Sequence, residues 1–226
     1  MTPQLAKILG MIVADGSINE TTGHIGIVTN NEVVKKTFID LIKQAFNVDA
    51  KVTKDKRREG LESLSITSRP LARQYRDMIG HNARNKHVPI QILQGSKAEQ
   101  KAFLEGLTLD GYIKKNKYQT QLVVYEGVSK QLRDEVASML YLNGMTCYKG
   151  QKLVNYKKQK QSYYAYNVIV NSNWIEPIEP HKQVPLKESK MMVSTKGVSS
   201  TDKYLKHVVK YNNLSLIHIS EPTRHL

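Results

Sequence analysis

Two carboxylates and two lysines recur along this chain at matched distances. Asp15 closes the apolar segment Ile8-Leu9-Gly10-Met11-Ile12-Val13-Ala14 and is followed by Gly16. Asp110 closes Phe103-Leu104-Glu105-Gly106-Leu107-Thr108-Leu109 and is followed by Gly111. Asp15 lies 71 residues before Lys86 of Lys86-His87-Val88-Pro89, and Asp110 lies 72 before Lys182 of Lys182-Gln183-Val184-Pro185. Two such carboxylates, if brought together, repel unless a cation sits between them, and hard oxygen ligands suit Mg²⁺ completed by phosphate oxygens and water. A cation held that way polarises a phosphoryl group, helps to generate hydroxide and stabilises a leaving oxygen. A lysine near each carboxylate can stabilise developing negative charge or help to orient the attacking water. The offset of 95 to 96 residues indicates a duplicated half-domain with two copies of one site.

The elements around these residues repeat as well. Apolar positions 5, 8, 9, 12 and 13 give a helix over residues 4–15, with Gly16 as its stop. A short strand comes next, over 25–29. Asn31 can cap a helix over 32–46 whose inner face carries Val33, Val34, Phe38, Leu41, Ile42 and Ala45. Strands over 50–55 and 61–67 flank a basic hairpin turn, and a helix over 70–79 closes the unit. The second unit repeats the order: a helix over 97–109, a strand over 119–125, a helix capped by Ser129 that ends at Asn143-Gly144, then strands over 146–156 and 162–170 joined by a lysine-rich turn. This order predicts an α+β fold with mainly antiparallel sheet, joined near 91–97.

Composition bounds the partners. The 226 residues carry 34 Lys+Arg against 20 Asp+Glu, a formal charge of +14, which favours a polyanion, nucleic acid first and an anionic membrane surface second. No apolar run approaches the roughly 18 residues that a membrane span needs. The N-terminal residues lack the basic and apolar regions of a secretion signal, so an intracellular location is expected. The single cysteine, Cys147, excludes an internal disulfide and a multi-cysteine zinc site, and reads as an apolar packing residue. No histidine spacing supports a metal site; His24, His81 and His87 read as structural or solvated, and Tyr125 as core.

The two Asp-Gly segments resemble the LAGLIDADG motif of homing endonucleases, the second as an altered copy, and the resemblance covers roughly residues 4–186. It implies a single chain of two pseudo-symmetric αββαββα repeats, residues 1–95 and 96–186, with the motif helices packed together at the centre of a monomer and each sheet saddling the major groove. Gly10 and Ala14, four apart on one helix face, and Gly106 on the other helix would let the two helices approach closely. The resemblance implies Asp15, Asp110, Lys86 and Lys182 as catalytic residues, with Asp15 and Asp110 binding Mg²⁺. The implied activity is site-specific hydrolysis of phosphodiesters in double-stranded DNA by an enzyme encoded with an intron or intein.

The second motif departs from the pattern: Gly10 precedes Asp15 by five residues, whereas Gly106 precedes Asp110 by four. One residue fewer rotates the rest of the helix by about 100°. Either Glu105 takes the glycine's place and widens the helix contact, or the helix ends early. The departure is compatible with a degenerate, a nicking-only or an inactive enzyme, or with a sequence error. DNA contacts are expected from the hairpins, through Lys51, Lys54, Lys56, Arg57 and Arg58 in the first and Lys149, Lys152, Lys157, Lys158 and Lys160 in the second, with Tyr148, Tyr156, Tyr163 and Tyr164 between them. The alternatives are a binding protein on the same scaffold, an RNA maturase or DNA-binding regulator without cleavage, and an RNA-binding protein of unrelated fold. Residues 187–213 carry no assignable motif, and residues 214–226 resemble the translation of a sequencing adapter, so the natural C-terminus is expected to be missing.

Overall fold

A computed structural model of the chain describes residues 1–54, 60–109, 111–115, 120–156, 161–170 and 183–185. Residues Met1–Pro185 form one compact unit. The first repeat runs α1 (Pro3–Asp15), β1 (Gly16–Asn19), β2 (His24–Thr29), α2 (Glu32–Phe46), β3 (Lys51–Lys54), β4 (Glu62–Thr67) and α3 (Arg69–Ile79). A four-residue helix, α4 (Ile90–Leu93), lies in the join. The second repeat runs α5 (Lys97–Thr108), β5 (Tyr112–Lys115), β6 (Thr120–Gly127), α6 (Lys130–Leu142), β7 (Cys147–Tyr156) and β8 (Gln161–Val170), with β9 (Gln183–Pro185) added at the end.

Every helix but the four-residue α4 starts where a side chain serves its unpaired N–H groups. Thr2 accepts from Leu5 ahead of Pro3. Asn31 accepts from Val33 and Val34. Ser96 and Glu99 close a reciprocal capping box on α5. Each sheet is built on the same plan. The first has the order β1-β2-β4-β3, all antiparallel. The second has β7-β8-β6-β5-β9, the same four-strand arrangement extended by the parallel pairing of β9 with β5.

Several expectations change. Gly16 does not simply stop a helix; it begins β1, which pairs with β2. The four-residue β5, the three-residue β9 and α4 are additional elements. On α2, Val34, Phe38 and Ile42 are buried and Leu41 is partly buried against the core. Val33 and Ala45, expected on that inner face, are instead exposed.

The core is organised around α1, which is buried on nearly every side through Ala6, Ile8, Leu9, Met11, Ile12 and Val13, as befits a helix that is apolar all round. Its partner α5 buries Phe103, Leu104 and Leu107. A Cβ on Gly10 would collide with the Phe103 carbonyl and lie 2.8 Å from the Leu107 nitrogen. One on Gly106 would collide with the Lys7 carbonyl and lie 3.0 Å from the Met11 nitrogen. Each glycine thus receives the other helix's backbone. At the rim of this contact Lys7 pairs with Glu105 at 3.2 Å.

Candidate nucleic-acid interface and metal centre

The reciprocal glycine contact settles how the shortened motif is accommodated. Gly106, not Glu105, holds the position equivalent to Gly10, and the helix ends early instead. Helix α1 continues five residues past Gly10 to Asp15, whereas α5 stops at Thr108, two past Gly106. Its end tightens: Leu109 N–H donates to the Gly106 carbonyl and Gly111 N–H to the Thr108 carbonyl. The Thr108 hydroxyl donates back to the carbonyls of Leu104 at 2.8 Å and Glu105 at 3.0 Å, one turn earlier.

Asp15 is exposed at the end of α1 and lines a cleft with Ala14, Thr29, Gly106 and Leu109, so the first carboxylate opens toward the end of the second motif helix. Asp110 and Lys182 lie outside the described residues. Gln183, which comes after Lys182, pairs with Ile113 of β5. Ala14, on the same helix as Gly10, lines a larger cavity of about 490 Å³ that runs across both repeats past Asn31, Leu109, Gly111, Tyr112 and Glu126.

Lys86 reaches the same end of α1. Its ammonium donates to the carbonyls of Val13 at 2.8 Å, Ile12 at 3.3 Å and Gly16 at 3.3 Å. The Ile12 carbonyl also accepts from the Gly16 N–H, whereas that of Val13 is one of the acceptors a helix C-terminus leaves without an intrahelical partner, and the negative end of the helix dipole favours a cation there. Among the predicted first-repeat residues, the fold therefore brings Asp15 and Lys86 to one helix end from 71 positions apart in sequence.

Strand alternation sorts the predicted DNA contacts. In the first sheet Ile25, Ile27, Leu64 and Ile66 face the helices and are buried. Lys51 pairs with Ser65 and lies on the opposite, outer face with Ser17, His24 and Ser63. Lys54 pairs with Glu62, which is ion-paired with Lys35 of α2, so Lys54 is on the helix side. In the second sheet Lys149 pairs in register with the buried Val168 and reaches Asp134 of α6 at 3.3 Å, again on the helix side. Lys152 lies on the outer face, where its ammonium and the Tyr112 hydroxyl both meet the Glu126 carboxylate. Burial first, and then that carboxylate, push the Tyr112 hydroxyl's pKa up. Lys56, Arg57, Arg58, Lys157, Lys158 and Lys160 lie outside the described residues.

The outer-face pair Tyr112 and Glu126 is an addition to the predicted set. Tyr112 comes directly after Asp110-Gly111, a position that marks it in the sequence; Glu126 carries no such signal. The exclusions hold a plainer chemistry. Cys147 is half-buried and its thiol pKa is pushed up by burial. Burial also lowers the pKa of His24, whose ring sits 3.3 Å from the Ser17 hydroxyl. Tyr125, half-buried, bonds through its hydroxyl to the backbone of Ser129.

A LAGLIDADG-like domain model matches residues 2–80, the whole of the first repeat's element series. The chain resembles the solved N-terminal LAGLIDADG domain of DUF199/WhiA at 13% identity and a TM-score of 0.51, over 84% of this chain and 87% of that one. It resembles full-length DUF199/WhiA from Thermatoga maritima at 13% identity and a TM-score of 0.51, over 75% of this chain and 51% of that one. It is also similar to I-DmoI in complex with DNA and Ca, at 19% identity and a TM-score of 0.49, over 74% of this chain and 82% of that one. No curated protein sequence matches the chain. The first repeat, residues 2–80, thus matches a LAGLIDADG-like domain, and the second repeat is built on the same plan, with its motif helix packed against that of the first.

Proposed function

We propose that the protein is a divalent-metal-dependent endonuclease that cleaves phosphodiester bonds at a long, asymmetric double-stranded DNA site, as an intron- or intein-encoded homing enzyme acting inside the cell. The observation that carries this reading is the α1–α5 contact, which brings the end of each motif helix to one cleft with Asp15 exposed in it.

The donors at this cleft fit a hard cation. Asp15 offers an exposed carboxylate, and Asp110 supplies the second in the same reading. Such a metal, preferentially Mg²⁺, would polarise the scissile phosphoryl group and ease the formation of hydroxide. The chain's own residues do the rest. Lys86 fixes the end of α1 and keeps a positive charge beside the cleft, where negative charge develops at phosphorus. Lys182 takes the corresponding role in the second repeat. The outer sheet faces carry Lys51 among serines and Lys152 beside Tyr112 and Glu126, polar surfaces suited to phosphate and base-edge contacts. Because the two faces differ in sequence, the site they read is only loosely palindromic.

One observation favours a second reading, a LAGLIDADG protein that binds DNA or RNA without cutting it. Helix α5 ends at Thr108, so the second motif does not carry its helix to the carboxylate as α1 does. One experiment separates the two: a randomised double-stranded DNA library is incubated with Mg²⁺ and the wild type, Asp15→Asn or Asp110→Asn. Cleavage lost in Asp15→Asn supports the enzyme. Cleavage indifferent to both changes sinks the metal assignment, and selective binding without any cleavage establishes the second reading.

A further inference from the structure

Lys86 belongs to the first repeat, yet the residues that hold its backbone belong to the second. Ser129 is fully buried at the start of α6. Its hydroxyl donates to the Lys86 carbonyl at 2.6 Å while accepting from the Leu132 N–H at 3.1 Å. Two residues along, the Val88 N–H donates to the Glu135 carboxylate at 2.7 Å, and the other oxygen of that carboxylate accepts from Gln131 at 2.7 Å. Ser129 is itself fixed by the Tyr125 hydroxyl, which bonds to both its N–H and its carbonyl. On the first-repeat side the segment is tied once more, by the His87 N–H to the Ile79 carbonyl at 3.1 Å. The Lys86 side chain leaves this clamped backbone to bond three carbonyls at the end of α1, the helix that ends in Asp15.

We infer that Ser129 and Glu135 are positioning residues for the first repeat's site: by clamping residues 86 and 88 they hold the Lys86 ammonium on the end of α1, so the second repeat governs the geometry around Asp15. The inference goes beyond the helix contact, because it couples the repeats through a second, polar path from the start of α6 to the end of α1. A buried hydroxyl that donates to one segment while accepting from its own helix has no slack; removing it leaves the Lys86 carbonyl without that donor. The ammonium, at the end of four rotatable bonds, then loses its fixed origin. Its kinetic consequence rests on the proposed cleavage activity, whereas its structural consequence does not.

The test uses the full chain with Ser129→Ala, Ser129→Thr, Glu135→Ala and, as a control, Ser68→Ala. Ser68 caps α3 through Leu71 in the way that Ser129 caps α6, but has no bond to Lys86. Two readouts are taken. The first is the ¹⁵N-resolved signal and solvent exchange of the Lys86 ammonium. The second is kcat and KM for nicking a plasmid that carries a library-selected site, in Mg²⁺. Ser129→Ala and Glu135→Ala should speed ammonium exchange at least tenfold and lower kcat about tenfold with KM little changed, while Ser129→Thr recovers both and Ser68→Ala alters neither. An unchanged Lys86 signal in Ser129→Ala and Glu135→Ala overturns the inference, as does an activity loss no larger than that of Ser68→Ala. Should the wild type cleave nothing, the endonuclease reading fails and the ammonium signal alone decides the clamp.

Discussion

At the scale of single residues the first site holds two groups with different obligations. Asp15 is exposed, and asparagine keeps its shape while removing its charge. Asp15→Asn should therefore leave the melting temperature and DNA affinity near wild type while lowering cleavage by about 100-fold or more, the scale of losing a preorganised charge stabiliser. A time course on the library-selected site, beside a thermal melt, measures both; cleavage retained within a few-fold would remove Asp15 from the chemistry. Lys86 has a structural obligation as well, through three carbonyls. Lys86→Met should cost about 1.5–3 kcal/mol of stability, the range for hydrogen bonds to a charged group. Lys86→Arg should restore little of it, since a planar guanidinium fork does not match acceptors converging on one compact ammonium. Urea titrations of the two variants check the pair.

At the scale of elements the glycines decide the architecture. Gly10→Ala or Gly106→Ala drives a Cβ into backbone rather than into a side chain that can swing aside. Each should destabilise by at least about 3 kcal/mol, the upper part of the overpacking range. The double variant should lose less than the sum, because the two sites share one contact; additive losses in denaturant titrations would mean that the helices do not meet there. The same elements explain what the sequence could and could not disclose. Helix α2 runs over the expected 32–46 because Asn31 caps it and Val34, Phe38 and Ile42 recur on one face. Strands β1, β5 and β9 are three or four residues long, too short for alternation to announce them, and β9 depends besides on pairing with β5, far back in the sequence. The sides taken by Lys54 and Lys149 depend on register, which a slip of one residue reverses. The Ser129–Lys86 bond spans 43 positions: the cap was legible in the sequence, its second partner was not.

At the scale of the whole molecule the charge of +14 and the two outer sheet faces make salt dependence the most discriminating observable. A protein that neutralises 6–10 phosphates loses about 10³–10⁵ in affinity between 50 and 200 mM salt. Within that slope, face should matter more than charge. Lys51 and Lys152 stand on the outer faces, so replacing either with alanine should reduce the slope by about 1. Lys149 is turned to α6 and paired with Asp134, so Lys149→Ala should leave the slope unchanged although the formal charge falls equally. Glu126→Gln supplies the converse. It removes a negative charge from the outer face beside Lys152, so affinity should rise and the slope steepen, whereas Asp134→Asn on the helix side should do neither. Fluorescence anisotropy with one duplex over a salt series measures every one of these variants. Equal slopes for Lys149→Ala and Lys152→Ala would mean that net charge rather than the outer face carries the binding, and the assignment of the groove-facing surface would fall with it.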